Sequence, residues 1–214
     1  MPPIAVIDFE TTGLSPAMGD RATEIAIVLM EGDRVVDRFQ SLMNAGVRIS
    51  SFIESYTGIS NAMIAAAPPA ETVMADAARF VGSAPMVAHN ASFDKRFWAA
   101  ELAHAGWTTA PENGNPFACT LLLSRRLYPE AVSFRLGSLA AFHDLPSSGR
   151  AHRAMADAEV AAALYGRIVR DLERRYDVFD ADHALHALLR KLQACARKAV
   201  PEAIRKHLQA AAVA

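Results

Sequence analysis

The apolar run Ile4-Ala-Val-Ile7 stops at Asp8, and Glu10 follows two residues on. A short branched run of this kind reads as a buried strand that delivers a carboxylate to a sheet edge. Residues two apart on a strand leave the same face, so Asp8 and Glu10 stand about 7 Å apart at Cα for a ~3.3 Å rise per residue. Two carboxylates so placed repel, at least one has its pKa raised, and a divalent cation is what best neutralises them. Asp-x-Glu on its own also describes ordinary solvated surface, so the rest of the chain has to decide.

The pattern around this strand predicts a hairpin sheet. Glu24 to Met30 forms a second apolar run, Gly32-Asp33 supplies the turn, and Arg34 to Met43 returns with Val35, Phe39 and Met43 on one face. Residues 51–69 read as irregular, with a short helical turn near Phe52 to Tyr56 and a Pro68-Pro69 breaker. From there the spacing alternates. A helix is expected from Glu71 to Val81, a short inner strand at Met86 to Ala88, and a helix from Ala91 to Ala105 with Asn90 as its N-cap and Gly106 as its stop. Pro111 to Pro116 reads as a polar loop, Phe117 to Thr120 as an edge strand or helix lead-in, and Leu121 to Leu127 and Leu136 to Phe142 as short helices. Ser147-Ser-Gly149 is a further loop. Val160, Leu164, Ile168 and Leu172 recur every four residues and mark one long amphipathic helix from Ala154 to Tyr176. Helical segments then run to Leu208 with a break at Pro201. Residues 1–176 are therefore expected to form the main domain, and 177–214 a helical, basic C-terminal extension.

Composition narrows the setting. At 214 residues with 52% hydrophobic and 21% charged side chains, the chain suits one core-bearing domain with an appendage and not a disordered polymer. Two cysteines, Cys119 and Cys195, are too few for a disulfide scaffold or a cysteine zinc site. No signal-peptide pattern or membrane-length apolar run is visible, so the expected location is cytoplasmic, with no membrane partner. The net charge of −1 hides an asymmetry: residues 1–100 carry 7 basic and 11 acidic side chains, whereas residues 183–214 carry 6 basic and 1 acidic. An acidic front half is what a metal cage contributes, and a basic tail reads first as solvated helix surface and second as a face for phosphates.

Three further segments join the Asp8-Glu10 pair. Thr11-Thr12-Gly13-Leu14 places exposed backbone and a glycine beside the acids, which admits close approach by a phosphodiester. His89-Asn-Ala-Ser-Phe-Asp94 puts another carboxylate in the first turn of a helix that leaves a strand end. His152 and, after four intervening residues, Asp157 put an imidazole at the lip of the long helix and an aspartate just inside it.

Asp8-Phe-Glu10-Thr-Thr-Gly, His89-Asn-Ala-Ser-Phe-Asp94 and His152-(four residues)-Asp157 together resemble the three motifs of the DEDDh exonucleases, the family that includes the proofreading subunits and domains of bacterial replicative DNA polymerases. The resemblance covers about residues 1–175, with Thr57-Gly58-Ile59 and the stretch from Cys119 to Leu139 similar to the family's linking segments. Thr57 stands where many members have histidine. The resemblance implies an α/β, ribonuclease-H-like fold: a mixed five-stranded sheet, three strands antiparallel and two parallel, with helices on both faces. It implies two divalent cations, Mg²⁺ or Mn²⁺, in keeping with hard oxygen ligands. Asp8 would bridge the two, Glu10 and Asp157 would complete the first, and Asp94 would act through water. A pair of ions about 3.5–4 Å apart can stabilise the attacking and departing oxygens together. His152 is the implied general base, since an imidazole with an ordinary pKa of ~6.5 can take a proton from water near neutrality. The terminal nucleotide would rest on the backbone at Thr11 and Thr12, on Leu14 and Ile59, and near His89 and Asn90. The implied reaction is 3′→5′ release of nucleoside 5′-monophosphates from a single-stranded or frayed 3′ end of DNA, with RNA as the alternative substrate. A DNA polymerase subunit, or a second copy in a homodimer, is the implied partner.

Two rivals fit less of the chain. A haloacid-dehalogenase-like phosphatase is similar at Asp8-x-Glu10-x-Thr12, but wants aspartate in place of Glu10 and a later lysine, and leaves His89 to Asp94 unexplained. A catalytically idle binding module of a polymerase complex leaves the intact acids without a purpose. The remaining candidates read as structural. His183 and His186 share a helix face of an exposed tail without a third ligand, and His104 and His143 read as surface or boundary residues. Phe93, Phe97 and Trp98 read as helix packing, and Arg125-Arg126 and Arg174-Arg175 as solvated faces with backbone phosphates as the alternative.

Overall fold

A computed structural model describes residues 3–107, 116–146, 152–178 and 184–211. The hairpin sheet is present as β1 (Ile4–Thr11), β2 (Ala22–Glu31) and β3 (Arg34–Leu42), with Gly32 in the turn at φ 63°. Two short strands, β4 (Met86–Ala88) and β5 (Phe117–Cys119), complete one sheet in the order β3-β2-β1-β4-β5. β1 pairs antiparallel with β2, and β2 with β3, while β4 runs parallel to β1 and to β5. Nine α-helices are described: α1 (Ser51–Thr57), α2 (Asn61–Ala66), α3 (Ala70–Val81), α4 (Ser92–His104), α5 (Thr120–Leu127), α6 (Leu136–Phe142), α7 (Ala154–Tyr176), α8 (Ala184–Ala194) and α9 (Val200–Ala211). This is the expected mixed five-stranded sheet with helical cover, C-terminal helices included.

The two-residue period of β1 sorts its side chains between two cores. Ala5, Ile7 and Phe9 pack with Ile25 and Ile27 of β2 against Val73, Met74 and Ala77 of α3 and Phe97 and Trp98 of α4. Ile4 and Val6 face the other way, with Ala26 and Val28, against Ala158, Ala161, Leu164, Tyr165 and Ile168 of α7. Asp8 and Glu10 continue this even-numbered row, so the face that carries the acids is the face that α7 covers. The alanines of α7 let that long helix lie close to the sheet, which brings its first turn to the end of β1.

The C-terminal helices belong to the same apolar cluster. Leu185, Leu188, Leu189 and Leu192 of α8 and Val200 and Ile204 of α9 are buried with the α7 side of the core. Polar side chains of α8 also close the edge of the sheet: Cys119 N–H donates to Gln193 Oε1 at 2.6 Å, Gln193 Nε2 donates to Phe117 O at 3.3 Å, and His186 Nε2 donates to Pro116 O at 2.9 Å. An edge strand with free backbone groups invites pairing with another chain, and α8 covers it.

Several local expectations are corrected. His186 is buried against the end of β5 and is not on an exposed tail face. His143 is buried too, edge-on to the rings of Tyr128 at 4.2 Å and Phe142 at 4.7 Å. Arg126 is no solvated side chain, since its Nε donates to Cys195 O and ties α5 to the segment after α8. Asn90 is not the N-cap of α4: Ala91 occupies that position, and Asn90 takes the left-handed turn at φ 70°. Asparagine is among the few non-glycine residues that tolerate this conformation, and the strand-to-helix reversal uses that tolerance instead of a side-chain cap. The loops expected at 111–115 and 147–149, and His183, lie outside the described residues.

Candidate active site

Three elements meet at the C-terminal end of β1. Asp8 and Glu10 come from β1 itself, Asp94 from the first turn of α4, and Asp157 from the first turn of α7. Carboxylate oxygens of Asp8, Glu10 and Asp157 lie within 4.8 Å of one another, an all-oxygen group able to hold a metal ion. Asp94 is outside that trio and almost wholly buried, accepting hydrogen bonds from its own backbone N–H and that of Phe9.

The charges at this site are at odds with each other. Burial, and then the neighbouring Asp94, Glu10 and Asp157 carboxylates, push Asp8 well above the usual carboxylate range. Burial followed by the charges of Asp157 and Glu24 pushes Glu10 up to about 8, with Arg153 opposing. Burial raises Asp94 to about 7 against its two backbone hydrogen bonds, and raises Asp157 against the His152 backbone N–H. Burial and mutual repulsion favour the protonated forms of these groups; a divalent cation would replace that repulsion with coordination. The donor set thus fits a hard divalent ion, because carboxylates are the ligands such ions take and, among the described residues, no histidine or cysteine joins the trio.

His152 precedes α7 in a left-handed conformation at φ 63°, uncommon for a residue with a side chain. Its backbone N–H donates to Asp157 Oδ2 at 3.0 Å. The imidazole lies against the Tyr56 ring of α1, with centroids 3.9 Å apart. Asp8, His152, Asp157, Tyr56 and His89 all line one cavity of about 850 Å³, whose far wall is Leu121 and the Arg135–Ser138 segment at the start of α6.

The expected nucleotide-binding residues divide into two groups. Leu14 is 79% exposed beyond the end of β1. Thr11 Oγ1 donates to Gly13 O at 2.6 Å, while Thr12 Oγ1 accepts from Arg21 N–H at 3.0 Å, so these hydroxyls shape the loop. Gly13 sits against Asp20, where a Cβ would press on the carboxylate. His89 lines the cavity, but its two nitrogens are occupied: Nε2 donates to Phe134 O at 3.0 Å and Nδ1 accepts from Thr120 Oγ1 at 2.9 Å. Burial holds it neutral, pulled down to about 4, and it pins β4 to α5 and to the segment before α6. Asn90 is exposed at the turn. Ile59 is not brought to the cavity wall: it is fully buried with Ile49 and Ile64. Thr57 is likewise buried, donating to Ile53 O at 2.9 Å and accepting from Ile59 N–H at 3.1 Å, so it fastens the end of α1.

Two contributors were not foreseen in the sequence. Glu24 of β2 accepts two hydrogen bonds from Arg153, at 3.0 and 2.8 Å, and others from Gln40 Nε2 and the Ala154 N–H. This buried carboxylate fixes the residue next to His152 and the first turn of α7. The signal for it was an isolated acid in the apolar β2 run, opposite Glu10 in hairpin register. Tyr56 is the second, and only the fold places it beside His152.

A family model described as Exonuclease matches residues 5–165, three quarters of the chain and all four carboxylates of the site. The chain belongs to the exonuclease family. It is thereby a hydrolytic nuclease by kinship, and the trio of acids is where that family's divalent metal chemistry is expected. Among curated relatives, a PolC-type DNA polymerase III from Caldanaerobacter subterraneus subsp. tengcongensis is 36% identical over 168 residues, 78% of this chain. The 3′-5′ exonuclease DinG of Bacillus subtilis is 36% identical over 177 residues, 79% of this chain. The chain spans only 12% and 18% of those two proteins' lengths. Among solved structures, Exonuclease X in complex with 5′ overhanging duplex DNA is 29% identical with a TM-score of 0.64, covering 82% of this chain and 94% of that one. The nuclease domain of 3′hExo, a DEDDh family member bound to rAMP, shares the fold at 18% identity and a TM-score of 0.66, covering 79% and 92%. Among the described residues, no helix is long and apolar enough to cross a membrane.

Proposed function

We propose that this exonuclease works in the 3′→5′ direction with two divalent cations, Mg²⁺ or Mn²⁺, and releases nucleoside 5′-monophosphates from DNA 3′ ends in a proofreading-like or repair-like role. The observation that carries the reading is the convergence of Asp8, Glu10 and Asp157 within 4.8 Å, with Asp8 and Asp157 lining one cavity with His152, whose backbone is bound to Asp157.

Asp8, Glu10 and Asp157 would hold the cations, with Asp94 beside them. When bound, the cations supply the positive charge that polarises the phosphodiester and makes water easier to deprotonate. His152 takes the proton from that water as general base. Exposed Leu14 and the backbone at Thr11 and Thr12 receive the terminal nucleotide, while His89 keeps the cavity wall in place as a neutral strut. Asn90 stands at its edge, and Ile59 contributes by supporting α1 from below. Contacts of this kind read no base edges, so the enzyme should show weak sequence preference.

DNA is favoured over RNA by the relatives named as DNA polymerase III and by the DNA-bound Exonuclease X. The same names support a polymerase as partner, with a homodimer as the alternative, and a cytoplasmic setting. Residues 1–176 would form the exonuclease unit and 177–214 an extension that covers the sheet edge. The test is direct: with Mn²⁺, the protein should shorten a 5′-labelled single-stranded DNA from its 3′ end, faster than a matched RNA, and chelator should stop it. Equal or faster RNA degradation would make it an exoribonuclease, and unchanged degradation by Asp157→Ala would show that the site is assigned wrongly.

A further inference from the structure

We propose that Tyr56 is a positioning residue for the His152 imidazole, holding the general base over the carboxylate trio by ring contact; the inference rests on the exonuclease reading above. Backbone anchoring alone cannot do this. The left-handed φ and the N–H bond to Asp157 fix where His152 begins, but they leave its side-chain torsions free. Among the described residues neither imidazole nitrogen has a hydrogen-bond partner, whereas a general base in an enzyme is commonly oriented by a third group. The contact on the page is the face of Tyr56, at 3.9 Å between centroids and 27° between planes. A stacked ring restrains orientation while leaving both nitrogens open to water and substrate.

The mount of Tyr56 is stiff. Ser50 caps the start of α1 by accepting the Ile53 N–H, and Gly58 ends it in a left-handed turn at φ 73°. Glu54 accepts from the backbone and side chain of Asn61, which in turn binds both backbone groups of Ile49. Phe52, one turn before Tyr56, stacks on it at 5.9 Å and 11°. Phe52 is 71% exposed and Tyr56 48% exposed, so neither ring is there to fill the core.

The test is a double-mutant cycle on the p-nitrophenyl ester of thymidine 5′-monophosphate, which has no second base to stack. Tyr56→Ala should lower kcat about 10–100-fold with KM changed less than about twofold, as misplacing a reacting group does. Tyr56→Phe, which keeps the ring, should retain most of the rate. In a His152→Ala background, Tyr56→Ala should cost less than about twofold, because the group it serves is gone. The Mn²⁺-induced rise in Tm should match wild type in each variant. An equal loss in both backgrounds, a loss confined to KM, or no loss at all would overturn the role of Tyr56 and, in the second case, make it a substrate-binding ring instead. A wild-type protein that cleaves neither this ester, nor DNA, nor RNA would refute the exonuclease reading itself.

Discussion

Glu10 on β1 and Glu24 on β2 face each other across the antiparallel ladder, yet they sit in opposite electrostatic states. Burial and nearby negative charge push Glu10 up to about 8. Burial raises Glu24 too, but the Arg153 guanidinium, Gln40 and the Ala154 N–H outweigh it and hold it below the usual carboxylate range. One acid of the pair is compensated by the protein, and the other has carboxylates for neighbours, as a cation ligand would. That division separates the part of the site that builds the fold from the part proposed to do chemistry.

The compensated acid should matter for stability. Arg153→Ala strands a buried carboxylate beneath the start of α7, a change that costs about 3 kcal/mol in comparable buried pairs. Thermal denaturation in Mn²⁺ should show a Tm lowered by roughly 6–12 °C for a chain of this size. An unchanged Tm would mean that the pair does not anchor α7.

The uncompensated acids should behave in the opposite way. Asp8→Asn replaces an acid whose ionised form is opposed by burial and by its neighbours, so in chelator the variant should melt at or above the wild-type Tm while cleaving DNA at least about 10³-fold more slowly. Melting curves beside a cleavage assay would separate the two effects. A variant both inactive and strongly destabilised would count against electrostatic strain at the trio.

The raised pKa values give a pH dependence with a definite sign. A carboxylate whose folded pKa lies above its unfolded value binds more protons when folded, so its contribution is full below the unfolded pKa and is lost as pH rises through the folded one. For Glu10 the window runs from 4.5 to about 8, and for Asp94 from 3.8 to about 7. Buried His89, pulled down from 6.5 to about 4, works in the opposite direction up to pH 6.5, so in chelator Tm should fall between pH 6.5 and pH 8. Saturating Mn²⁺ should raise Tm more at pH 8 than at pH 5.5, and a Mn²⁺ effect independent of pH would contradict the assignment.

Gly13 lies directly against the Asp20 carboxylate in the loop after β1. In Gly13→Ala the new methyl group would collide with Asp20, whose carboxylate accepts the Ser15 N–H at 2.9 Å. The loop that carries Leu14 would shift, raising KM several-fold with a smaller effect on kcat in steady-state DNA hydrolysis. Wild-type kinetics would show that this loop does not meet substrate.

Much of this was legible because short-range rules governed it. Alternation along β1 placed Asp8 and Glu10 on one face, and helical spacing delimited α7 with Asp157 in its first turn. What escaped depended on contacts between distant segments. The pairing of Glu24 with Arg153 spans 129 residues, and the stacking of Tyr56 on His152 needs α1 to fold over the start of α7. His186 and Arg126 read as solvent-facing because their carbonyl partners, on Pro116 and Cys195, carry no sequence signature. Asn90 misled for a related reason: asparagine suits both an N-cap and a left-handed turn, and local sequence does not choose between them.

Mn²⁺ binding by equilibrium dialysis at pH 7.5, read beside DNA cleavage in the same samples, tests the cation site most directly. Wild type should bind Mn²⁺ saturably and cleave in proportion to occupancy, whereas Asp8→Ala and Asp157→Ala should lose both while keeping a wild-type circular dichroism spectrum. Cleavage that persists in chelator, or Mn²⁺ binding unaltered by both substitutions, would contradict the account.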